Sequence, residues 1–454
     1  MANSTADVVI CGAGIAGVSA AYHLAAQRGI RRVVLVDERA PLSLTSDKST
    51  EAYRNWWPGP GDEMVSFMNR SIDLLEGLAQ ETDNRFLMNR RGYAFLTADR
   101  SKVRQMQDAA AETSRLGAGP LRIHPGATPY TPAPAEGYST QPDGADLLLD
   151  SDLIHEYFPF VSDDAVALLH PRRCGWLSAQ QLGMFLLQQA RAQGVQFISG
   201  RVTGVLREHG RICAVKIGDK TIATRSFVIA AGPLISQVAR LIDVELPVFN
   251  ELHGKISFDD YLSVVPRSAP LMIWNDPVRL VWSEDEREEL AADEETRWLL
   301  QTFPAGVHFR PEGGEHSSVL LALWTYDVEV LEPSWPPRFD PFYPEIILRG
   351  LARMVPRLVD YVGRMRSLYV DGGYYCKTRE NRPLISPLPV DGAYVVGALS
   401  GYGIMASQAA AELLAAHVTG ETLPDYAPAF HLSRYDDPRY VALLDGWDSV
   451  AGQL

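Results

Sequence analysis

The chain has 454 residues, 46% of them hydrophobic, and a formal net charge of −14 at pH 7. That length exceeds what one hydrophobic core organises, so two domains are expected. The negative balance argues against nucleic acid or an anionic membrane surface as partner, since both reward positive charge. Cys11, Cys174, Cys213 and Cys376 lack CxxC or Cys/His metal spacing, which suits free thiols in a reducing, cytoplasmic setting and no metal site. No basic-then-apolar leader precedes the first strand and no apolar run approaches membrane-spanning length, so a soluble protein without signal peptide or membrane span is expected.

Residues 8–17, VVICGAGIAG, read as a buried strand entering a glycine turn, and the following helix, VSAAYHLAAQRG, ends at Gly29. In such a turn Gly12 reverses the backbone, Gly14 lets the main chain approach a pyrophosphate, and Gly17 lets helix and strand pack closely. Phosphates then meet unpaired N–H groups and the positive dipole end of the helix. A second apolar strand, residues 33–36, ends in Asp37, about twenty residues past the last glycine, where an acid accepts hydrogen bonds from a ribose diol.

Next comes the polar loop ERAPLSLTSDKSTEAYRNWWPGPG. Thr45, Ser46, Ser49 and Thr50, with Lys48 and Arg54, are placed to continue the phosphate cradle toward the reactive end of a cofactor. Residues 63–80 have helical spacing, 86–96 read as two short strands turning at RRG, and 117–146, rich in Pro and Gly, read as a loop excursion within a second domain. From Cys174 an α/β order resumes with a turn, an amphipathic helix and a strand. Hairpin-like strands follow and close with an apolar strand at 227–231 and Gly232. Residues 245–360 are strand-rich, and SEDEREELAADEE reads as a solvated helix face. Strands around Tyr374 and at 394–397 lead into SGYG and a helix over 404–418, a second helix N-terminus behind a glycine turn. The tail from Leu423 reads as a packed strap.

In this order, VVICGAGIAG with VVLVDE, HPRRCGWLSAQQL, FVIAAGPLISQVA, GGYYCKTRENRPLISPLP and GALSGYGIMAS resemble the D-amino acid oxidase/sarcosine oxidase superfamily of FAD-dependent amine oxidoreductases, the DAO or glycine oxidase family. The resemblance covers most of the chain. It implies an α/β fold: a Rossmann-like FAD-binding domain of the glutathione-reductase type, interleaved with an α+β substrate domain on a mixed sheet. The FAD domain falls at 1–86, 155–240 and 370–425, the substrate domain at 87–154 and 241–369, and the strap at 426–454. Carried over by position, Gly12, Gly14, Ile15, Ala16 and Gly17 face the pyrophosphate, Asp37 and Glu38 the adenosine ribose, and Val202 the adenine. Lys48, Ser49, Thr50 and Arg54 lie along the phosphates and flavin edge, with Ala231 and Gly232 also on the cofactor. Gly401, Tyr402, Gly403, Ile404 and Met405 present the second helix N-terminus to the flavin pyrimidine ring, where preorganised dipoles stabilise the negative charge of reduction.

Departures from the family pattern carry their own expectations. Gly373 stands where many sarcosine oxidases carry a cysteine thioether, and Cys376, three residues on, turns to the opposite strand face, so FAD is expected to be noncovalent. DKSTEAY replaces the attachment histidine of the dimethylglycine dehydrogenase branch. Met405 replaces a substrate-facing lysine, and the lysine associated with oxygen activation aligns with Arg279, which leaves oxidase and dehydrogenase open.

The chemistry implied is hydride removal from the carbon beside an amine nitrogen to flavin N5, giving an imine that hydrolyses. Catalytic and substrate-contact candidates are Arg54, Tyr374, His253 and Arg279, with Lys255, Tyr326 and Lys377 beside them. Arg54 is the leading carboxylate partner. Tyr374 and Tyr375 alternate, so one of them points at the flavin, while Lys377 and Arg379 have Glu380 as an alternative partner. The expected partners are a small-molecule amine or amino acid and O2 or another electron acceptor. A flavin monooxygenase and a noncatalytic FAD-binding subunit of a larger dehydrogenase are the competing readings.

Overall fold

Two sheets carry the architecture, and the computed structural model describes residues 4–126, 129–314 and 316–447 of the chain. The last seven residues of the expected strap lie outside them.

The first sheet has six strands in the order Gln196–Ser199, Val33–Asp37, Val8–Cys11, Phe227–Ile229, Ala393–Gly397, Leu384–Pro387. The first five are parallel and the last is antiparallel. Short runs such as VVIC and VVLV form its centre because a parallel sheet is covered on both faces and must be apolar on both. Val8, Ile10, Val33, Leu35 and Val228 pack toward the helices Ile15–Tyr22 and Gly403–Thr419. Val9, Val34, Val36, Phe227 and Ile229 pack toward a four-stranded sheet that includes Val202–Glu208 and Arg211–Ile217. The first helix continues through a π-helical turn, His23–Gln27, to Gly29, whose φ of +69° ends it as expected.

The second sheet has nine strands: Arg366–Lys377, Phe249–Asp259, Val319–Leu323, His308–Pro311, Leu271–Trp274, Tyr93–Thr97, Ala167–Pro171, Ala145–Leu148 and Leu121–His124. It is mixed, as expected, with parallel pairing at Leu271–Trp274/Tyr93–Thr97 and at Leu121–His124/Ala145–Leu148. One face, with Ile256, Phe258, Met272, Trp274, Phe309, Leu320 and Ala322, forms a core with the helix Tyr343–Leu351.

Several expectations are corrected. Residues 86–96 hold one strand, Tyr93–Thr97. The segment before it is irregular because the Asn84 side chain accepts from the Met88 N–H and donates to its carbonyl, while the Tyr53 hydroxyl donates to the Asn89 carbonyl. The excursion at 117–146 supplies the sheet's last strand, Leu121–His124, and the start of Ala145–Leu148. Ala167–Pro171, expected in the FAD unit, pairs antiparallel with Tyr93–Thr97 and Ala145–Leu148. A short apolar strand carries no local signal of which sheet it joins. The acidic helix Glu284–Ala292 is solvated as expected and starts with a Ser283/Glu286 capping box. The tail folds into short helical turns, and there Arg434, Tyr435 and Tyr440 converge on the buried Glu380 carboxylate. Glu380 is thereby engaged by the strap, and Lys377 pairs elsewhere.

Among the described residues no helix is long and apolar enough to cross a membrane, and no group of His, Cys, Asp or Glu is arranged to hold a metal. All four cysteines are free thiols.

Candidate functional site

A cavity of about 540 Å³ runs along the C-terminal ends of the parallel strands, the position where open α/β sheets take ligands. The glycine turn shapes its floor. Gly12 has φ +111°, and a Cβ there would come within 2.3 Å of the Ala230 carbonyl oxygen. A Cβ on Gly17 would stand 1.8 Å from the Gly12 carbonyl oxygen, so Gly17 acts from behind the turn. The Asp37 carboxylate accepts from the Ala13 N–H at 2.7 Å and the Arg39 N–H at 2.9 Å, which ties the acid to the turn it serves. Two helices, Ile15–Tyr22 and Gly403–Thr419, begin at the cavity wall, and neither has a side-chain N-cap. The Ile15 N–H donates to Ser46 Oγ at 2.9 Å, and the positive dipole ends of the two helices suit a pyrophosphate at one end and a ring that gains negative charge at the other. An elongated cleft with this donor set fits FAD.

Of the sequence candidates, Gly12, Gly14, Ile15, Ala16, Asp37, Glu38, Ser49, Val202, Ala231, Gly232, Tyr374, Gly401, Gly403 and Ile404 line the cavity. Six of the expected cofactor residues stand outside the lining. Gly17 is behind the turn, and Lys48 is ion-paired with Asp371 at 2.7 Å. Thr50 offers its carbonyl to Arg310 at 2.7 Å. Arg54 packs on aromatic rings, the Tyr402 hydroxyl donates to the Asn381 carbonyl, and Met405 is buried in the helix core. Cys11 and Gln237, inside quoted motifs but not singled out, and Arg39 and Thr203, which no motif marks, also line the cavity. Cys376 lines it too, against the expectation from strand alternation. Its strand runs on under the SGYG turn, where the Ser400 N–H donates to the Cys376 carbonyl. Burial pushes the Cys376 thiol up to about 12.

The nine-stranded sheet turns its second face toward this unit. Strand alternation places Asp371, Gly373 and Tyr375 on that face from one strand and Glu251, His253 and Lys255 from its neighbour, in direct register. Leu321 and Leu323 follow, then His308 and Arg310, Leu271 and Ile273, and Tyr93 with Phe95. The loop at 45–54 is stapled to this face at several points. Lys255 Nζ donates to the Asp47 carbonyl at 3.0 Å, Arg310 Nε donates to the Thr50 carbonyl, and Lys48 pairs with Asp371. Thr45, Ser46 and Ser49 of the same loop line the cavity, so the loop joins the cofactor cleft to the facing sheet.

Arg54 is buried, its guanidinium 4.7 Å from the Trp57 ring centroid and 5.8 Å from that of Tyr93. Desolvation holds it below the usual arginine range, and a carboxylate beside it would relieve that cost. His253 stacks on Tyr375 at 4.0 Å, with Nε2 3.1 Å from the Glu251 carboxylate and Nδ1 3.0 Å from Thr325 Oγ1. Burial pushes its imidazolium down, and Glu251 partly restores it. Lys377 pairs with the same Glu251 oxygen at 2.9 Å. Of the two tyrosines, Tyr374 lines the cavity, while the Tyr375 ring fills the space that a Cβ on Gly401 would occupy. Tyr326 stacks on Tyr343. Arg279 is exposed on a two-stranded ribbon, with Nε bonded to Thr302 Oγ1 and no place in the cavity wall. The structure therefore brings Arg54, His253 and Tyr374 to this region and leaves Arg279 outside it. It adds His308, buried on the facing sheet within electrostatic reach of Arg54 and His253. The sequence HFRP held no motif to flag it.

A family model for FAD dependent oxidoreductases, DAO, matches residues 7–417. The chain is 26% identical over 249 residues to sarcosine oxidase subunit beta of Rhizobium meliloti, covering 53% of each, so the match spans about half of that relative. It is 23% identical over 442 residues to mitochondrial dimethylglycine dehydrogenase of Rattus norvegicus, covering 96% of this chain and 45% of the relative. The crystal structure of L-proline dehydrogenase from P. horikoshii superposes with a TM-score of 0.73 at 17% identity, covering 96% of this chain and 98% of that one; at that identity the likeness is one of fold.

Proposed function

This chain belongs to the DAO family of FAD-dependent oxidoreductases, and from that premise we propose that it oxidises the carbon–nitrogen bond of an amino acid or N-substituted amino acid. The observation that carries the reading is the polar face of the nine-stranded sheet. Arg54, His253 and His308 gather there opposite a cofactor cleft, all three buried, and burial disfavours the charged form of each. A site of that kind is suited to a small anionic molecule carrying nitrogen.

Bound FAD supplies the acceptor for two electrons and a hydrogen from the substrate carbon. Gly12, Gly14 and the N-terminal end of the helix Ile15–Tyr22, with Ser46 beside it, would hold the pyrophosphate, Asp37 the ribose, and Val202 the adenine side. Gly401, Gly403 and Ile404 would meet the pyrimidine edge of the flavin, where the dipole of the helix Gly403–Thr419 favours negative charge. Arg54 would pair with the substrate carboxylate, and the apolar Leu323, Ile273 and Phe95 would exclude water around the reacting carbon. We assign the cleft's domain to the six-stranded sheet and its helices, and the substrate domain to the nine-stranded sheet.

FAD is held noncovalently in this reading. A Cβ on Gly373 would stand 3.0 Å from Lys48 Cβ, which crowds a cysteine there, and a thiol as weakly acidic as Cys376 is a poor nucleophile. Acid precipitation releases all flavin to the supernatant on this account; flavin retained in the pellet overturns it.

The test of the reaction is anaerobic titration of the yellow protein with amino acids and N-methyl amino acids, followed by air. Bleaching of the flavin band by one compound supports the reading, and recovery in air separates an oxidase from a dehydrogenase. Bleaching by NADPH and by no amine overturns it in favour of a monooxygenase.

A further inference from the structure

We propose that His308 is the hydrogen-bond acceptor for the substrate nitrogen and restricts the site to amines that still carry an N–H, primary or secondary, against N,N-dialkyl amines. This rests on the amine-oxidising reading above and names the substrate class of that site.

The position of the ring follows from register. Lys255 pairs with Leu323, Leu323 with His308, and His308 with Ile273, one row across four strands. Phe309 belongs to the far core, so His308 and Arg310 both point toward the cofactor unit. Arg310 and Lys255 are anchored to the loop at 45–54, whose Ser49 lines the cleft. The imidazole therefore stands under the loop that joins cleft and sheet, beside Arg54.

Its protonation state follows from its one partner. His308 Nδ1 lies 2.8 Å from the Gly306 carbonyl oxygen, and a carbonyl only accepts, so Nδ1 carries the hydrogen. Burial first, then the charges of Arg54 and His253, push the imidazolium down to about 4, although the Gly306 bond works the other way. At neutral pH the ring is uncharged and Nε2 is a lone pair, an acceptor that cannot donate. The ring's hydrogen bond to Gly306 is made by Nδ1, which leaves the Nε2 lone pair for a donor from outside the chain.

A neutral secondary amine supplies one N–H and a primary amine two, and each keeps the nitrogen lone pair that becomes the C=N bond. A neutral tertiary amine has no N–H. Its ammonium form has one, but the lone pair is then occupied and no C=N bond can form. An acceptor fixed at this point thus separates N-methyl from N,N-dimethyl substrates by chemistry rather than by size.

The experiment uses the FAD-loaded protein and two near-isosteric acids, pyrrole-2-carboxylate, with a ring N–H, and furan-2-carboxylate, with a ring oxygen. Dissociation constants are read from perturbation of the flavin absorption band, with no turnover. Wild type is expected to bind the pyrrole at least ~10-fold more tightly, His308→Phe to bring the two within about twofold, and His308→Gln, whose amide oxygen can reach the Nε2 position, to restore part of the preference. Equal binding by wild type, or a preference that survives in His308→Phe with its flavin spectrum intact, overturns the assignment of His308 alone. If neither acid perturbs the band and no amine bleaches it, the amine reading falls and this inference with it.

Discussion

The cofactor cleft and the sheet that faces it are built by different means. In the cleft, backbone does the recognising. Gly12 and Gly17 are there because neighbouring carbonyls leave no room for a Cβ, and two helices turn their positive dipole ends to the cleft. On the facing sheet, recognition falls to side chains, and each is held by others: His253 by its strand neighbour Glu251 and by the distant Thr325, Lys377 by Glu251, Lys48 by Asp371. The first arrangement binds one fixed cofactor. The second can be re-cut for a new substrate by changing a few residues, without disturbing the fold.

The sharpest break of that contrast is Gly12→Ala. It forces a left-handed φ on a Cβ and drives that Cβ into the Ala230 carbonyl, a strain of several kcal/mol in the native state. Bound flavin in the purified protein, read as the ratio of visible to ultraviolet absorption, should fall below about a tenth of wild type. A Gly12→Ala protein with full flavin content would mean that the turn is not what holds the cofactor.

Arg54→Ala should do the reverse. It leaves the glycine turn untouched, so flavin content holds, while kcat/KM for a carboxylate-bearing substrate falls ~100-fold, about 3 kcal/mol of transition-state binding. Arg54→Lys should recover little of it, because a lysine lacks the planar fork. The expectation fails if flavin and catalysis are lost together.

That asymmetry also explains what could be read from the sequence. The glycine turn, Asp37 and the SGYG helix start are local, so spacing along the chain was enough to locate them. The range 155–240, read as FAD domain, includes Ala167–Pro171, which pairs into the nine-stranded sheet, and Arg279 lies on a ribbon outside the cavity wall; strand pairing between distant segments decides both. His308 was invisible for the same reason. Its role depends on Arg54, 254 positions earlier, and on register with Leu323 and Ile273.

Acid should separate the two regions. Burial holds four histidines far below the usual range: His170 at about 3 and His308 at about 4 on the nine-stranded sheet, and His23 and His417 at about 4 on the helices of the cleft unit. Each is neutral when folded and protonates near 6.5 when unfolded. Stability is therefore unaffected above about pH 7, falls as pH drops through 6.5, and keeps falling toward pH 4, by ~3 kcal/mol for one fully buried ring. With His170 the lowest of the four and His253 pushed down as well, the nine-stranded sheet should lose amide protection first in hydrogen exchange at pH 5, and His170→Gln should flatten the fall in Tm between pH 6.5 and 4.5 more than His23→Gln does. Equal slopes for both variants would refute the ordering.

The smallest expected effect lies where the regions touch. Trp335, from the substrate side, packs edge-on against Tyr374 with centroids 5.6 Å apart, and the Arg39 guanidinium sits 5.1 Å from its ring; Ser334 Oγ is 3.2 Å from the Tyr374 hydroxyl. Arg39 and Tyr374 both line the cleft, so this contact spans its mouth. A cation–π pair and an aromatic pair at a half-exposed site are together worth about 1–2 kcal/mol. Trp335→Ala should therefore speed release of FAD, followed by the rise in free-flavin fluorescence after dilution, by roughly 5–30-fold, and leave the KM for substrate unchanged. A rise in KM without faster release would place Trp335 with the substrate sheet rather than with the cleft, and the boundary between backbone-built and side-chain-built recognition would have to be drawn on its other side.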